Sequence, residues 1–158
     1  ILARSAKPFV VILDEVEDPQ NLGAIVRSAE GAGADGLILP ERRSAGLTET
    51  VDTVSAGALE HLPVARVPNL VRAMEELKDK GLWLVGAEGS GDEPWYAFDY
   101  TGPVGIVLGS EGKGLRPLVR KTCDKVLAIP LSGKVGSLNV AAAAAVFLFE
   151  VVRQRRKP

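Results

Sequence analysis

Three polar, glycine-bearing segments each follow an apolar stretch that is typical of a buried strand. They read DPQNLGAIVR (18–27), LGSEGKGL (108–115) and IPLSGKVGSLN (129–139). The carboxyl ends of parallel strands lie along one edge of a sheet, so these segments are expected to meet there. Small residues, amides and free backbone N–H groups suit a neutral or zwitterionic polar ligand, and an arginine can hold an anion. The polar candidates are Asn21, Arg27, Glu111, Ser132, Ser137 and Asn139.

Several other kinds of site are disfavoured by the residue inventory. The chain has one cysteine, Cys123, and one histidine, His61, which argues against a metal centre, a cysteine nucleophile and a Ser-His-Asp triad. Residues 109–114 (GSEGKG) match neither G-x-G-x-x-G nor a P-loop, because glycine follows Lys113. The segment AEGSGD (87–92) follows a strand, but Pro94 and aromatic residues leave no room for a helix behind it. We interpret that segment as a surface connection.

Length and composition indicate one ordinary globular domain. The chain has 158 residues, 46% hydrophobic and 25% charged, with a formal net charge of −1. Its longest apolar run, near residues 140–149, is too short to span a membrane, and no signal peptide is visible. A single cysteine fits the reducing cytoplasm. The near-neutral charge does not indicate a general nucleic-acid binder, and the basic residues ending the chain (Arg153, Arg155, Arg156 and Lys157) are interpreted as complementing the dipole of the last helix.

Strand and helix patterns alternate along the chain and predict an α/β fold with a mostly parallel six-stranded sheet and helices on both faces. The predicted strands are 9–13, 36–39, 64–67, 82–87, 104–108 and 126–129. The predicted helices are 22–31, an imperfect helix within 51–62 interrupted by Gly57, 69–80, 115–123 and a final helix over the alanine run. Pro19 is expected to break regular structure. Ser137 is the candidate N-cap of the final helix.

Three motifs, in this order, resemble the SpoU (TrmH) family of RNA ribose 2′-O-methyltransferases of the SPOUT superfamily. They are DPQNLGAIVRSAEGAGADGLIL (18–39, first motif), IVLGSEGKGL (106–115, second motif) and IPLSGKVGSLNVAAAAAVFLFE (129–150, third motif). The resemblance covers nearly the whole chain. The middle segments, 58–70 and 81–89, are most similar to 23S rRNA guanosine methyltransferases of the RlmB type.

This resemblance implies a C-terminal deep trefoil knot that binds S-adenosylmethionine, no metal, and a homodimer with its active site at the subunit interface. Residues 1–8 are interpreted as the end of a linker, and the resemblance implies a catalytic domain at 9–158 and a preceding RNA-binding domain. The implied cofactor-binding residues are Leu108, Gly109, Gly114, Ile129, Leu131, Ser137 and Leu138. The implied catalytic residues are Asn21, Arg27, Glu111, Ser137 and Asn139.

The implied reaction is attack of a ribose 2′-oxygen on the sulfonium methyl group of the donor. A guanidinium is a very poor base, so we expect Arg27 to clamp the RNA phosphate next to the target ribose and to stabilise the developing alkoxide. The expected substrate is guanosine in 23S rRNA. The alternatives are a tRNA 2′-O-methyltransferase and a non-catalytic RNA-binding or ribosome-assembly protein of the same fold. A nicotinamide dehydrogenase is disfavoured because G-x-G-x-x-G is absent.

Overall fold

The computed structural model describes residues 1–110 and 112–156. Seven strands form one sheet in the order β3-β2-β1-β6-β4-β7-β5, and every pair of neighbouring strands is parallel. Their bounds are β1 (Phe9–Leu13), β2 (Gly36–Pro40), β3 (Val64–Val67), β4 (Trp83–Ala87), β5 (Glu93–Pro94), β6 (Val104–Leu108) and β7 (Lys125–Ala128). The continuous apolar runs of β1 and β6 are buried at every residue, as expected for central strands of a parallel sheet.

The sheet has seven strands where the sequence predicted six. The additional strand, β5, is the dipeptide Glu93–Pro94, which pairs with Leu127 and Ala128 of β7 at the edge of the sheet. The N–H of Trp95 extends this pairing by donating to the carbonyl of Ala128 at 2.9 Å. A Glu-Pro dipeptide carries no strand signal, because its pairing arises from backbone geometry and not from side-chain pattern.

Five α-helices in the described part of the chain cover both faces of the sheet, as predicted. They are α1 (Pro19–Gly31), α2 (Glu49–Val54), α3 (Leu70–Asp79), α4 (Pro117–Thr122) and α5 (Val140–Arg155). Successive residues of a strand point to opposite faces. Val11 of β1 therefore packs in the core cluster formed with α1 and α5, whereas Val10 packs in the cluster formed with α3 and α4. The α/β class and the two-sided arrangement are confirmed.

Two predicted helix starts are wrong. Helix α1 begins at Pro19, because a proline at the first helical position loses no hydrogen bond, and Asp18 caps the helix by accepting from the Gln20 N–H at 2.8 Å. Helix α5 is capped by Asn139, not by Ser137. The Asn139 side chain accepts from the N–H groups of Ala141 and Ala142 at 2.9 and 3.2 Å. Ser137 lies in the loop before this cap.

The basic end of α5 anchors the helix to the rest of the domain. Arg153 forms a two-pronged ion pair with Glu150 inside the helix, at 2.8 and 2.7 Å. The guanidinium of Arg155 donates to the carbonyls of Tyr100, Lys7 and Gly102 and lies 5.5 Å from the ring centre of Phe9. Arg155 therefore ties α5 to the segments that precede β1 and β6, a role that the dipole interpretation did not include. Lys157 lies outside the described residues.

The segment that precedes β1 packs against the sheet. Leu2–Arg4 form one turn of 3-10 helix, and Ile1 and Leu2 contact the core cluster on the α3 and α4 face. Gly36 leaves the space that Ile1 fills, since a Cβ at Gly36 would lie 2.6 Å from the Ile1 side chain. Within the described residues, no helix combines the length and apolarity needed to cross a membrane.

Candidate functional site

The strands that carry the motifs end at the same level of the sheet. Leu108 at the end of β6 is in register with Leu13 of β1 and with Ala87 of β4, and Ala87 is also paired with Leu127 of β7. Beyond this edge lies a cavity of about 800 Å³. Its walls are the loops that follow β4, β6 and β7, together with Val140, Ala143 and Phe147 of α5. The predicted convergence at one sheet edge therefore holds for the second and third motifs.

All seven residues that the resemblance assigns to cofactor binding lie in the wall of this cavity. They are Leu108, Gly109, Gly114, Ile129, Leu131, Ser137 and Leu138. Leu131 and Leu138 are 38% and 39% exposed, so their apolar surface is available to a bound molecule. The wall combines these aliphatic groups with backbone and polar atoms, a composition typical of small-molecule sites.

The second motif forms a tight turn in which two glycines touch. A Cβ at Gly109 would lie 2.3 Å from the carbonyl oxygen of Gly114, so only glycine fits at position 109. The turn is closed by the Gly114 N–H, which donates to the Ser110 carbonyl at 2.9 Å. Gly114 has a φ of 67°, in the left-handed region that favours glycine. The spacing of the glycines therefore reflects backbone packing beside the cavity.

The loop after β4, which we interpreted as a surface connection, is largely exposed and also lines the cavity. Glu88 of this loop accepts from the Leu115 N–H at 3.3 Å and from the Ser90 hydroxyl at 2.9 Å. The Glu88 carboxylate also lies 3.7 Å from the guanidinium of Arg120 on α4. These contacts hold the β4 loop against the second motif. The signal that could have found it is its position, directly after a strand of the same parallel sheet.

The loop of the third motif is exposed over its entire length between residues 130 and 139. It has no regular secondary structure in this stretch, and three of its apolar side chains are exposed: Leu131, Val135 and Leu138. Val135 is 77% exposed. The loop ends at Asn139, which caps α5 and so fixes the start of the helix against the cavity.

A second, smaller pocket of about 220 Å³ adjoins the cavity and contains Asn21. The two share Ser110, Lys113 and Val140 in their walls. Asn139 donates its side-chain N–H to the Asn21 side-chain oxygen at 2.9 Å, although the two residues are 118 positions apart. The structure thus joins two of the predicted catalytic residues, from the first and third motifs, while Ser137 lies in the wall of the neighbouring cavity.

Arg27 is not part of either pocket. It lies on α1 six residues beyond Asn21, which is about 9 Å along the helix axis and about 120° around it. Its side chain is exposed. Glu111, the remaining predicted catalytic residue, lies outside the described residues. The predicted catalytic residues that the structure describes therefore lie in two places on one chain. Asn21, Ser137 and Asn139 lie at the pockets, and Arg27 lies on the outer surface of α1.

A buried carboxylate ties the first motif region to the second. Asp14, directly after β1, is 1% exposed and accepts from the backbone N–H and the Nε of Arg116 at 2.9 and 2.7 Å. Its own N–H donates to the Leu108 carbonyl at 2.7 Å. Glu15, the next residue, lines the smaller pocket and has a φ of 59°. A non-glycine residue in this region costs about 1–2 kcal/mol, so the bend after β1 is held by its surroundings.

Metal and thiol chemistry find no support in the described part of the chain. Residues 1–110 and 112–156 contain no cluster of three or more His, Cys, Asp or Glu side chains that could hold a metal ion. Burial raises the pKa of the Cys123 thiol to about 12, with the Asp124 carboxylate adding to the effect, so the thiol stays protonated at neutral pH. His61 is exposed and lines neither pocket.

Comparisons with known proteins agree with this geometry. Residues 8–149 match the SpoU rRNA Methylase family. The chain is 50% identical over 156 residues to a 23S rRNA (guanosine-2′-O-)-methyltransferase, RlmB, of Shewanella oneidensis, covering 99% of this chain and 63% of the relative.

Two solved structures are similar in fold. The SpoU methyltransferase AviRb of Streptomyces viridochromogenes, in complex with the cofactor AdoMet, has a TM-score of 0.86 and 35% identity, over 96% of this chain and 62% of that one. The TrmH/SpoU tRNA modifying enzyme of A. aeolicus has a TM-score of 0.86 and 30% identity, over 94% of this chain and 76% of that one.

The chain spans 61%, 40% and 63% of the length of three curated relatives that it matches. The family match covers the three motifs, the strands that carry them and both pockets. From these features, and from the 50% identity to the Shewanella oneidensis relative, we conclude that the chain belongs to the SpoU rRNA methylase family.

Proposed function

We propose that this chain binds S-adenosylmethionine in the large cavity and transfers its methyl group to a ribose 2′-hydroxyl of RNA, with guanosine in 23S rRNA as the substrate. The observation that carries the proposal is the convergence of the second and third motifs on one cavity. It is supported by the identity of half the residues to a 23S rRNA (guanosine-2′-O-)-methyltransferase. The donor supplies an activated methyl group on a sulfonium, so the protein's task is positioning and assistance with the departing proton.

The cavity suits this donor in size and chemistry. Its volume of about 800 Å³ lies within the range of small-molecule sites, roughly 300–1,000 Å³. Ile129 and Leu138 offer aliphatic surface to an adenine ring, and the loops offer backbone groups to polar atoms. Leu108 belongs to the cavity wall, although its side chain is only 1% exposed. Gly109 forms a cradle that a Cβ would fill. We assign donor binding to these residues with Gly114, Leu131 and Ser137.

The Asn21–Asn139 pair lies where a substrate ribose must approach the donor. The two amides are joined at 2.9 Å beside the shared wall of the two pockets, so each orients the other. We propose that this pair and Ser137 position the target nucleotide. Arg27 clamps the adjacent phosphate and stabilises the developing alkoxide. The 2′-hydroxyl proton leaves through that phosphate, a water molecule or Glu111.

The separation of Arg27 from the pockets is explained by a homodimer in which Arg27 serves the partner's site. Arg27 and Gly31 are four residues apart and so share a face of α1. The ring of Phe149 on α5 reaches this face, 3.7 Å from where a Gly31 Cβ would lie, and Phe149 is 46% exposed. An exposed aromatic ring beside an arginine is typical of interface cores, so we propose that a second copy packs on α1 and α5.

Four further features of the family complete the proposal. They are a C-terminal deep trefoil knot, a cytoplasmic location, a catalytic domain at residues 9–158 after a linker at 1–8, and a separate RNA-binding domain. The chain returns to the middle of the sheet after β5, because β6 lies between β1 and β4, an order that a knotted chain can have.

A second candidate function is methylation of tRNA, which is favoured by the fold similarity to the A. aeolicus tRNA modifying enzyme. The higher identity to the 23S rRNA enzyme of Shewanella oneidensis supports rRNA. A non-catalytic RNA-binding protein of the same fold is disfavoured by the preserved cavity and by the joined Asn21–Asn139 pair.

Labelled methyl transfer tests the proposed function. We expect the chain to move tritium from methyl-labelled S-adenosylmethionine into unmodified 23S rRNA, at a guanosine whose 3′ phosphodiester becomes resistant to alkali. Unmodified tRNA is the comparison substrate. Label in tRNA alone would establish the second candidate instead. Donor binding without transfer to either RNA would favour the non-catalytic protein.

Replacing Arg27 by lysine tests the clamp. Arg27→Lys keeps the charge but loses two-pronged contact with a phosphate, so we expect kcat to fall by about 100-fold with the affinity for S-adenosylhomocysteine unchanged. The matched control is Arg72→Lys, on the exposed side of α3. Near wild-type turnover of Arg27→Lys with donor binding intact would show that the clamp is wrong.

Gly109→Ala tests the cradle. The added methyl group meets the Gly114 carbonyl at 2.3 Å. We expect the affinity for S-adenosylhomocysteine, measured by calorimetry, to fall by about 100-fold and stability to urea to fall by about 2–3 kcal/mol. Gly102→Ala is the control, since no atom lies within 4 Å of its added Cβ. Equal donor affinity for Gly109→Ala and Gly102→Ala would place the donor elsewhere.

If Arg27 acts across a dimer interface, mixing two impaired variants restores activity at a donor concentration that saturates only the intact cradle. Hybrid dimers of Arg27→Lys with Gly109→Ala contain one site with an intact cradle and the partner's intact arginine. Recovery of methyl transfer on mixing is therefore expected. Failure to recover activity, with hybrid dimers demonstrated by mass, would place Arg27 at the site of its own chain.

A further inference from the structure

The connection after β2, residues 41–46 (ERRSAG), presents two adjacent arginines at the edge of the sheet where the pockets lie; we refer to it as the arginine loop. Arg42 and Arg43 are both exposed. Arg43 lies 3.9 Å from the Glu15 carboxylate, with 74% of its side chain exposed. Arg42 joins no other described residue through a hydrogen bond or ion pair. Neither residue belongs to the three motifs.

The backbone of the arginine loop is firmly anchored although its arginines are exposed. Arg66 of β3 donates to the Ser44 hydroxyl at 3.2 Å and to the Ala45 carbonyl at 2.9 Å. The Ser44 hydroxyl donates to the Pro40 carbonyl at 2.7 Å, and Ala45 is only 5% exposed. The guanidinium groups of Arg42 and Arg43 are thus carried on a support of defined shape, which reduces the entropy lost when they bind a ligand.

The arginine loop is joined directly to the pocket that contains Asn21. The N–H of Ala45 donates to the Val16 carbonyl at 3.0 Å, and Val16 lines that pocket with Asn21. Glu15 and Arg43, which face each other here, both have positive φ, at 59° and 54°. They are two of the three non-glycine residues with positive φ in residues 1–110 and 112–156. Strained residues of this kind concentrate at functional sites.

Arg42 and Arg43 are cations at this edge that remain available to an anion. Arg116 is already engaged by the acidic side chains after β1, since its Nε lies 2.7 Å from Asp14 and 3.2 Å from Glu15. Glu17 and Asp18 also line the Asn21 pocket, so exposed arginines beside it supply the positive charge that a phosphodiester strand needs there. The contact between Arg43 and Glu15 is exposed and long, so it contributes little to stability. Arg43 can therefore leave Glu15 and bind a phosphate instead.

We propose that Arg42 and Arg43 grip the phosphodiester backbone of the RNA strand that enters the Asn21 pocket. This inference rests on the proposed function and extends it, because it names the surface that holds the strand beside the target ribose. The contacts are to phosphate and not to bases, so they position the RNA without selecting its sequence. In the proposed homodimer, Arg27 of the second copy clamps the phosphate at the target, and the arginine loop of the chain that carries the Asn21 pocket holds the neighbouring strand.

Salt-dependent RNA binding tests the arginine loop. The probe is an unmodified transcript of 23S rRNA, and the dissociation constant of the chain is measured over a series of KCl concentrations. We expect Arg42→Ala/Arg43→Ala to weaken binding by about tenfold at low salt. The negative slope of log association constant against log KCl concentration should become shallower by about 1.4. Each contact to single-stranded backbone contributes about 0.7 to the magnitude of this slope. Affinity for S-adenosylhomocysteine should stay unchanged.

Two matched double variants distinguish a direct contact between the arginine loop and RNA from a general effect of net charge on RNA binding. Lys80→Ala/Lys121→Ala removes the same two charges at exposed positions after α3 and in α4, at the opposite edge of the sheet, and should leave the slope near the wild-type value. Arg42→Lys/Arg43→Lys keeps both charges and should retain most of the slope.

The outcomes distinguish this inference from the proposed function. If the wild-type chain transfers methyl groups and the arginine and lysine double alanine variants show equal slopes, the arginine loop does not bind RNA. If the wild-type chain binds neither donor nor RNA, the proposed function fails and the inference fails with it. A loss of slope confined to the arginine variants, with donor affinity intact, establishes the contact.

Discussion

The site depends on a buried carboxylate at the point where β1 ends. Asp14 is held by both the backbone and the side chain of Arg116, which lies 102 residues further along the chain. A carboxylate can be buried only where charged and hydrogen-bonding partners compensate its lost hydration. This requirement fixes the segment after β6 against the segment after β1. The second motif is thereby placed beside the pocket of the first, and the two pockets come to share a wall.

The large cavity is made mainly by backbone shape. Gly109 and Gly114 touch, and Glu88 holds the loop after β4 against the same turn. The side chains proposed to act in catalysis lie at the rim of the cavity, where Asn139 both caps α5 and orients Asn21. A donor site built from backbone, with the polar side chains beside it, suits a reaction whose methyl donor is already activated. The protein needs a well-shaped cavity and precise placement of an RNA ribose more than a strong acid or base.

The parts of the fold that follow from side-chain pattern were predictable from the sequence. The apolar run at Phe9–Leu13 indicated a buried central strand, and Asn69 indicated the start of α3, where it accepts from the Arg72 N–H. The choice between Ser137 and Asn139 as cap of α5 was not predictable. Both residue types cap helices well, and their order in the loop does not say which oxygen reaches the free N–H groups.

Other features depend on contacts between distant segments. The strand at Glu93–Pro94 exists only because β7 offers its edge, and the role of the loop after β4 follows from its contact with Leu115. The cavity residues were predicted by resemblance to a family, and the geometry explains why they occur together. The separation of Arg27 from Asn21 follows from helix geometry once α1 is known to begin at Pro19, but the predicted start at residue 22 left Asn21 outside the helix.

The most direct test of this account is a crystal structure of the chain grown with S-adenosylhomocysteine. The account predicts one molecule of ligand in the large cavity, enclosed by the loops after β4, β6 and β7 and in contact with Gly109, Ile129 and Leu138. Ligand bound on another surface, or an empty cavity at a saturating concentration, would contradict it.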